Sequence, residues 1–182
     1  MTSLPGNTQG FTLIEVLVTF VIIAIGLLGL AALQVNTMNG QFEAYQRSMV
    51  TALVDDMAAR IRVNPTDAKA GSYTAQSGAY YGLQSTSTDC SALAAAARDL
   101  CDWNAAIAGA STQSGGTNVG APLGARGCIE LGPASGSGET VLRVSVAWQG
   151  ISPSVAPAID CGENAFGDES YRRVVFRDVA VR

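Results

Sequence analysis

The chain has 182 residues, one domain's worth or slightly more. Charged residues are 14%, apolar residues 48% and the formal net charge is −4. With no histidine and a single lysine, Lys69, it lacks a Ser–His–Asp or Cys–His pair, an HExxH zinc site and a histidine pH switch. The absence of a basic excess argues against a nucleic-acid reader, and none is expected as a partner.

The apolar residues gather at the N-terminus. Val16 to Leu33 is free of charge, and extension back to Phe11 adds one charge, Glu15. As a helix, residues 11–33 span about 34 Å, against about 30 Å of bilayer hydrocarbon. No small-residue cleavage site closes the run, so it reads as a retained anchor rather than a secretory signal. An acidic side chain within such a span costs about 2.5–3.5 kcal/mol at the helix centre and less near an end, which makes Glu15 a functional candidate.

Gly10-Phe11-Thr12-Leu13-Ile14-Glu15-Val16 resembles the class III signal of type IV pilins and pseudopilins. The resemblance implies cleavage by prepilin peptidase between Gly10 and Phe11 and N-methylation of the new Phe11 amine. It also implies that Glu15 of one subunit meets the Phe11 amine of a neighbour in a filament. A buried charge without a partner is heavily penalised, so that pairing sets axial register. The leader, residues 1–10, carries no Lys or Arg, which weakens the positive-inside bias. Many major pilins have a proline about twenty residues into the mature helix; here Ala31 and Ala32 stand at that depth. Gly26 and Gly29 read as sites of close helix packing.

Beyond Leu33 the helical period continues. Met38, Phe42, Tyr45, Met49, Leu53, Met57 and Ile61 recur at three- and four-residue steps among polar side chains. The predicted helix runs from Phe11 to Val63, near 80 Å, and stops at Asn64-Pro65. Its methionines are expected in a core, and Asp55 and Asp56 as solvated charges. The chain thus divides into leader 1–10, transmembrane or filament-core helix 11–33, amphipathic half 34–64 and globular domain 65–182.

Residues 66–89 form a Gly/Ser/Thr-rich connection with Tyr73, Tyr80 and Tyr81, expected to pack on the helix; a tyrosine binding surface is the other reading. Residues 91–108 are a second helix, capped by Asp89 or Ser91, with a stripe of Leu93, Leu100, Trp103 and Ile107. Residues 110–127 read as a low-complexity loop. The period then becomes two. Cys128–Leu131 is a short strand, and residues 135–138 form a turn. Leu142, Val144, Val146 and Trp148 share the face of a second strand that should pack on the long helix. Residues 171–181 are a third strand, antiparallel to the second, with alternation that suggests a bulge or cover on both faces.

Cys90, Cys101, Cys128 and Cys161 follow the anchor, and an even count in an exported domain implies two disulfides. If residues 91–101 are one continuous helix, Cys90 and Cys101 lie about 16 Å apart and each must bond Cys128 or Cys161. If the helix starts later or bends, a local Cys90–Cys101 bridge is open. No CxxC spacing supports zinc; no cofactor and no catalytic group are expected.

These elements fit the fold that the resemblance implies, the α+β type IV pilin fold, a long spine helix on a small antiparallel sheet with disulfides. Ala147-Trp148-Gln149-Gly150, the Trp103 helix and the closing arginine-bearing strand resemble PilV-type minor pilins. That resemblance implies a structural subunit, anchored in the inner membrane with a periplasmic domain. It implies work with other minor pilins, the major pilin and the pilus assembly platform to prime pili for adhesion and twitching motility. A type II secretion pseudopilin and a pilus-tip adhesin or ligand-binding module are the alternatives.

Overall fold

The computed structural model describes residues 10–74, 80–83, 89–93, 95–133 and 138–182. The chain divides into two compact units, the first ending at Phe42 and the second Glu43–Arg182. Helix α1, Leu13–Val63, contributes to both. The other elements are α2 (Pro65–Lys69), a 3-10 turn (Cys90–Ala92), α3 (Ala95–Ile107), β1 (Gln113–Ser114), β2 (Thr117–Asn118), β3 (Arg126–Leu131), β4 (Thr140–Gln149), a 3-10 turn (Glu169–Tyr171) and β5 (Arg172–Val181). The fold is α+β.

In the first unit α1 is exposed throughout, and from Val16 to Leu33 it is apolar on every side. A helix of this kind needs an apolar environment that its own chain does not supply. Its hydroxyls are satisfied internally: Thr19 donates to the Val16 carbonyl at 2.8 Å and Thr37 to that of Leu33 at 2.9 Å.

In the second unit the sheet order is β3-β4-β5, all antiparallel. β4 pairs β5 over ten residues without a break, from Thr140↔Val181 to Gln149↔Arg172. The sheet's inner face carries Leu142, Val144, Val146 and Trp148, which join Val50, Val54, Met57 and Ile61 of α1 in one core. This is the strand face expected to meet the helix. The helix stripe, however, differs from the expected one by one residue. Gln46, Val50, Val54, Met57 and Ile61 are buried, whereas Tyr45 is exposed and Met49 and Leu53 are half-buried. Met57 is therefore core, but Met38 is 68% exposed. The valines, smaller than Tyr45 and Met49, carry the buried face, and polar Gln46 lies on it. It is buried because its Oε1 accepts the Leu123 N–H at 3.1 Å.

α1 ends at Val63 as Asn64-Pro65 predicts, but Pro65 opens α2, where a first-turn proline is tolerated. The second helix starts at Ala95, not residue 91. Asp89 caps the preceding 3-10 turn by accepting the Ser91 N–H at 2.9 Å, Leu93 is extended, and Ala95 has φ 47°. Leu93 thus leaves the expected stripe and is exposed, while Trp103 and Ile107 are buried. This break also decides the disulfides. Cys90 and Cys101 are bonded, with Cα atoms 5.8 Å apart, and Cys128 and Cys161 are bonded, with Cα atoms 5.9 Å apart. The late helix start makes the local bridge possible.

The low-complexity stretch is not all loop. β1 and β2 form a miniature hairpin whose two turn residues, Gly115 and Gly116, have φ of 58° and 81°. Both values suit the tight turn that glycine pairs favour. β3 likewise starts at Arg126, two residues before the expected strand. Of the expected turn at 135–138, residues 135–137 lie outside the described residues.

β5 has no bulge. Its uneven alternation reflects the partial cover of its residues, buried near both ends and exposed from Phe176 to Asp178. The outer face of β4 is covered by the loop after Gly150. Cys161 is buried there, and a Cβ on Gly162 would stand 2.7 Å from that of Ala147. Arg172 fastens this loop. Its buried guanidinium bonds Glu169 and the carbonyls of Ile159, Cys161 and Pro157. Three carbonyls and a carboxylate offset the desolvation of that charge.

Candidate functional site

Two regions carry chemistry that packing alone does not explain: the start of α1, and the polar junction where α1, α2 and α3 meet.

Gly10 and Phe11 precede α1, and both are exposed. The peptide bond between them is outside the helix, so its carbonyl and N–H are not committed to a helical ladder. A Cβ placed on Gly10 would meet nothing within 4 Å. Thr12 then starts the helix. Its carbonyl accepts the N–H groups of Glu15 at 3.1 Å and Val16 at 3.3 Å, and its Oγ1 accepts the Glu15 N–H at 3.4 Å. Thr12-x-x-Glu15 is the spacing of a capping box. Sequence reasoning missed the role of Thr12, although this spacing was there to find it.

Glu15 lies in the first turn of α1, where the carboxylate meets the positive end of the helix dipole. It is exposed, and among the described residues it has no ion-pair partner. Gly10, Phe11 and Glu15 are thus gathered within one helix entry, followed at once by the apolar run. By length and composition α1 is the one helix among the described residues able to cross a membrane, and none of its most apolar 18-residue window is buried.

The junction is built around Asp99 of α3. Its Oδ2 accepts from the Tyr73 hydroxyl at 2.6 Å and from Asn64 Nδ2 at 3.1 Å, and its Oδ1 from Arg60 at 3.2 Å. Arg60 also bonds Asp56 at 2.9 Å and reaches Asp102 at 3.5 Å. Burial pushes the Tyr73 hydroxyl up to about 12, and its hydrogen bond to Asp99 adds to the rise. Asp56 and Asp55, expected as solvated charges, are exposed but paired; Asp55 meets Arg177 of β5 at 2.6 Å. Tyr73 is fully buried here. Tyr81 packs on Trp103 with ring centroids 5.4 Å apart and bridges to Gly127. Both tyrosines serve packing. The junction joins three helices, and its Tyr73 hydroxyl is held by Asp99 and Asn64. No group of three metal-binding side chains occurs among the described residues.

The cysteines form two disulfides, one of which ends on α3 between Asp99 and Asp102. Cys90–Cys101 ties the 3-10 turn to α3, and Cys128–Cys161 ties β3 to the loop covering β4.

Comparison with known proteins adds two findings. Residues 6–31 match the prokaryotic N-terminal methylation motif, a segment that contains Gly10, Phe11 and Glu15. Residues 32–106 match the family described as Tt1218-like, type IV pilin Tt1218, which takes in the rest of α1, the three-helix junction and Trp103. Searches of curated proteins and of solved structures found no match.

Proposed function

This chain is a type IV pilin-like protein, and we propose that it is a minor pilin, a structural subunit that helps to prime type IV pilus assembly and is built into the filament. One observation carries the reading. Gly10-Phe11 and Glu15 open a helix whose apolar first half is exposed and whose second half belongs to a disulfide-pinned α+β domain. In this reading residues 1–10 are the leader, 11–33 the membrane and filament-core helix, 34–64 the amphipathic half and 65–182 the periplasmic domain. Prepilin peptidase cuts after Gly10, and the Phe11 amine is methylated. The chain is held in the inner membrane by one span until other minor pilins and the major pilin take it up at the assembly platform.

The work is assembly rather than catalysis. Moving an apolar helix from lipid to a filament core exchanges one apolar environment for another, so burial alone gives little direction. The Glu15 carboxylate is the polar group in that surface. Satisfying it against the Phe11 amine of a neighbour favours one axial position over its alternatives.

The test is the location of the full-length protein in producing cells. Recovery in sheared pili, dependent on the pilus assembly platform, supports the proposal. Recovery only with a type II secretion apparatus would make it a pseudopilin instead.

A further inference from the structure

The two edges of the three-stranded sheet differ. On the outer side of β3, Tyr81 and Gly127 exchange backbone hydrogen bonds, both at 2.9 Å. Among the described residues the outer side of β5 has no strand paired with it, and the register fixes which groups face it. Gly132 N–H donates to the Val141 carbonyl at 2.8 Å, so the odd-numbered residues of β4 face β3. Gly150 N–H donates to the Tyr171 carbonyl at 2.7 Å, so the even-numbered residues of β4 face the odd-numbered ones of β5. Val174, Phe176, Asp178 and Ala180 therefore turn their N–H and C=O groups outward. None of these groups has a protein partner among the described residues.

Soluble proteins blunt such edges with proline, bulges, short strands or lysine. β5 has none of these over Arg172–Val181. The charges at its centre are already engaged. Arg177 is paired with Asp55 at 2.6 Å, and Arg143 clasps both oxygens of Asp178, at 2.8 and 2.9 Å. The edge is thus long, regular and unprotected.

The flank of α1 says what fits it. α1 and β5 run in the same direction, since Glu43 meets Arg173 at 3.4 Å and Asp55 meets Arg177. At about 100° per residue, Arg62 lies about 20° and Arg47 about 80° around the helix from Asp55, both on the β5 side. Arg47 falls between Glu43 and Asp55, and Arg62 one to two turns beyond. Both are exposed and make no ion pair among the described residues.

We propose that the outer edge of β5, over Val174–Ala180, takes an extended segment of another protein chain as a fourth strand, and that acidic side chains of the segment pair with Arg47 and Arg62. This is independent of signal cleavage and of the pilin reading. Backbone pairing supplies the affinity, and the two arginines select the sequence.

Hydrogen exchange on the full chain in detergent tests it, with a ten-residue peptide of alternating glutamate and valine as probe. At a peptide concentration about ten times its dissociation constant, exchange of the outward amides of Val174, Phe176, Asp178 and Ala180 should slow about tenfold. The Arg47→Glu/Arg62→Glu variant should lose that protection, and a lysine–valine peptide should give none to the native chain. Ala180→Pro removes one outward donor and spares the β4–β5 ladder; it should weaken protection while the Val175 and Val179 amides stay slow. No protection by the glutamate peptide overturns the proposal. Equal protection by both peptides overturns its charge rule. Protection that rises with protein concentration alone would mean that a second copy takes the edge.

Discussion

The indole N–H of Trp103 on α3 donates to the backbone carbonyl of Leu53 on α1 at 2.8 Å. The two residues are fifty apart in sequence, and the bond sets how α3 lies on α1. Trp103 is fully buried, and its ring leaves no room beside Gly127, where a Cβ would come within 2.8 Å. Trp103→Phe keeps most of the apolar volume and loses the donor. It should cost about 1–2 kcal/mol, one neutral hydrogen bond plus a small void. Trp103→Ala should cost about 3–5 kcal/mol. Urea unfolding of the two variants checks both values; equal costs would mean that the hydrogen bond and ring volume were misjudged.

The disulfides should differ in worth. They close loops of sequence separation 11 and 33, for which loop entropy gives about 3 and about 4 kcal/mol. Cys128→Ser/Cys161→Ser should therefore lower the melting temperature more than Cys90→Ser/Cys101→Ser. It should also open the 150–160 loop to protease, because Cys161 holds that loop on β4.

Tyr73 makes the domain sensitive to alkali. Its hydroxyl is raised to about 12 from the ordinary value of 10.0, first by burial and then by Asp99. A raised value favours the protonated form in the folded state. The resulting stability is complete below about pH 10 and is lost as pH rises through about 12. Phenolate absorbance should show Tyr73 ionising late and together with unfolding, beside Tyr81, whose hydroxyl burial also raises. Tyr73→Phe should remove that late step and flatten the alkaline limb of the stability profile.

Legibility in the sequence followed the range of the forces. The N-terminal methylation motif, the apolar span and the strand Leu142–Trp148 are legible in the sequence, because each depends on local pattern. The core stripe of α1 was read one residue off, since Gln46 is buried only by its bond to Leu123, far along the chain. The disulfide pairing hung on a break at Leu93–Ala95 that an alanine-rich run gives no reason to expect. The hairpin at Gly115-Gly116 carried a local signal and was hidden by the low complexity around it. Asp99, the centre of the helix junction, looked like any surface carboxylate. Its partners Arg60, Asn64 and Tyr73 come from 26 to 39 residues away.

Glu15→Ala removes the carboxylate without shortening the apolar run. The variant should enter the membrane and be cleaved as the native chain is. Its incorporation into pili should fall about tenfold or more, the scale expected when one partner of a buried charge pair is lost. Immunoblots of membranes and sheared pili compare the two pools, and unchanged incorporation would remove the register role from Glu15.

In the proposed role the chain is processed as a pilin at Gly10–Phe11. Intact-mass analysis of the protein from native membranes, with and without prepilin peptidase, tests it directly. The account predicts loss of residues 1–10 and gain of one methyl group on Phe11, only where the peptidase is present. An uncut chain in both strains, or a cut at another bond, would contradict it.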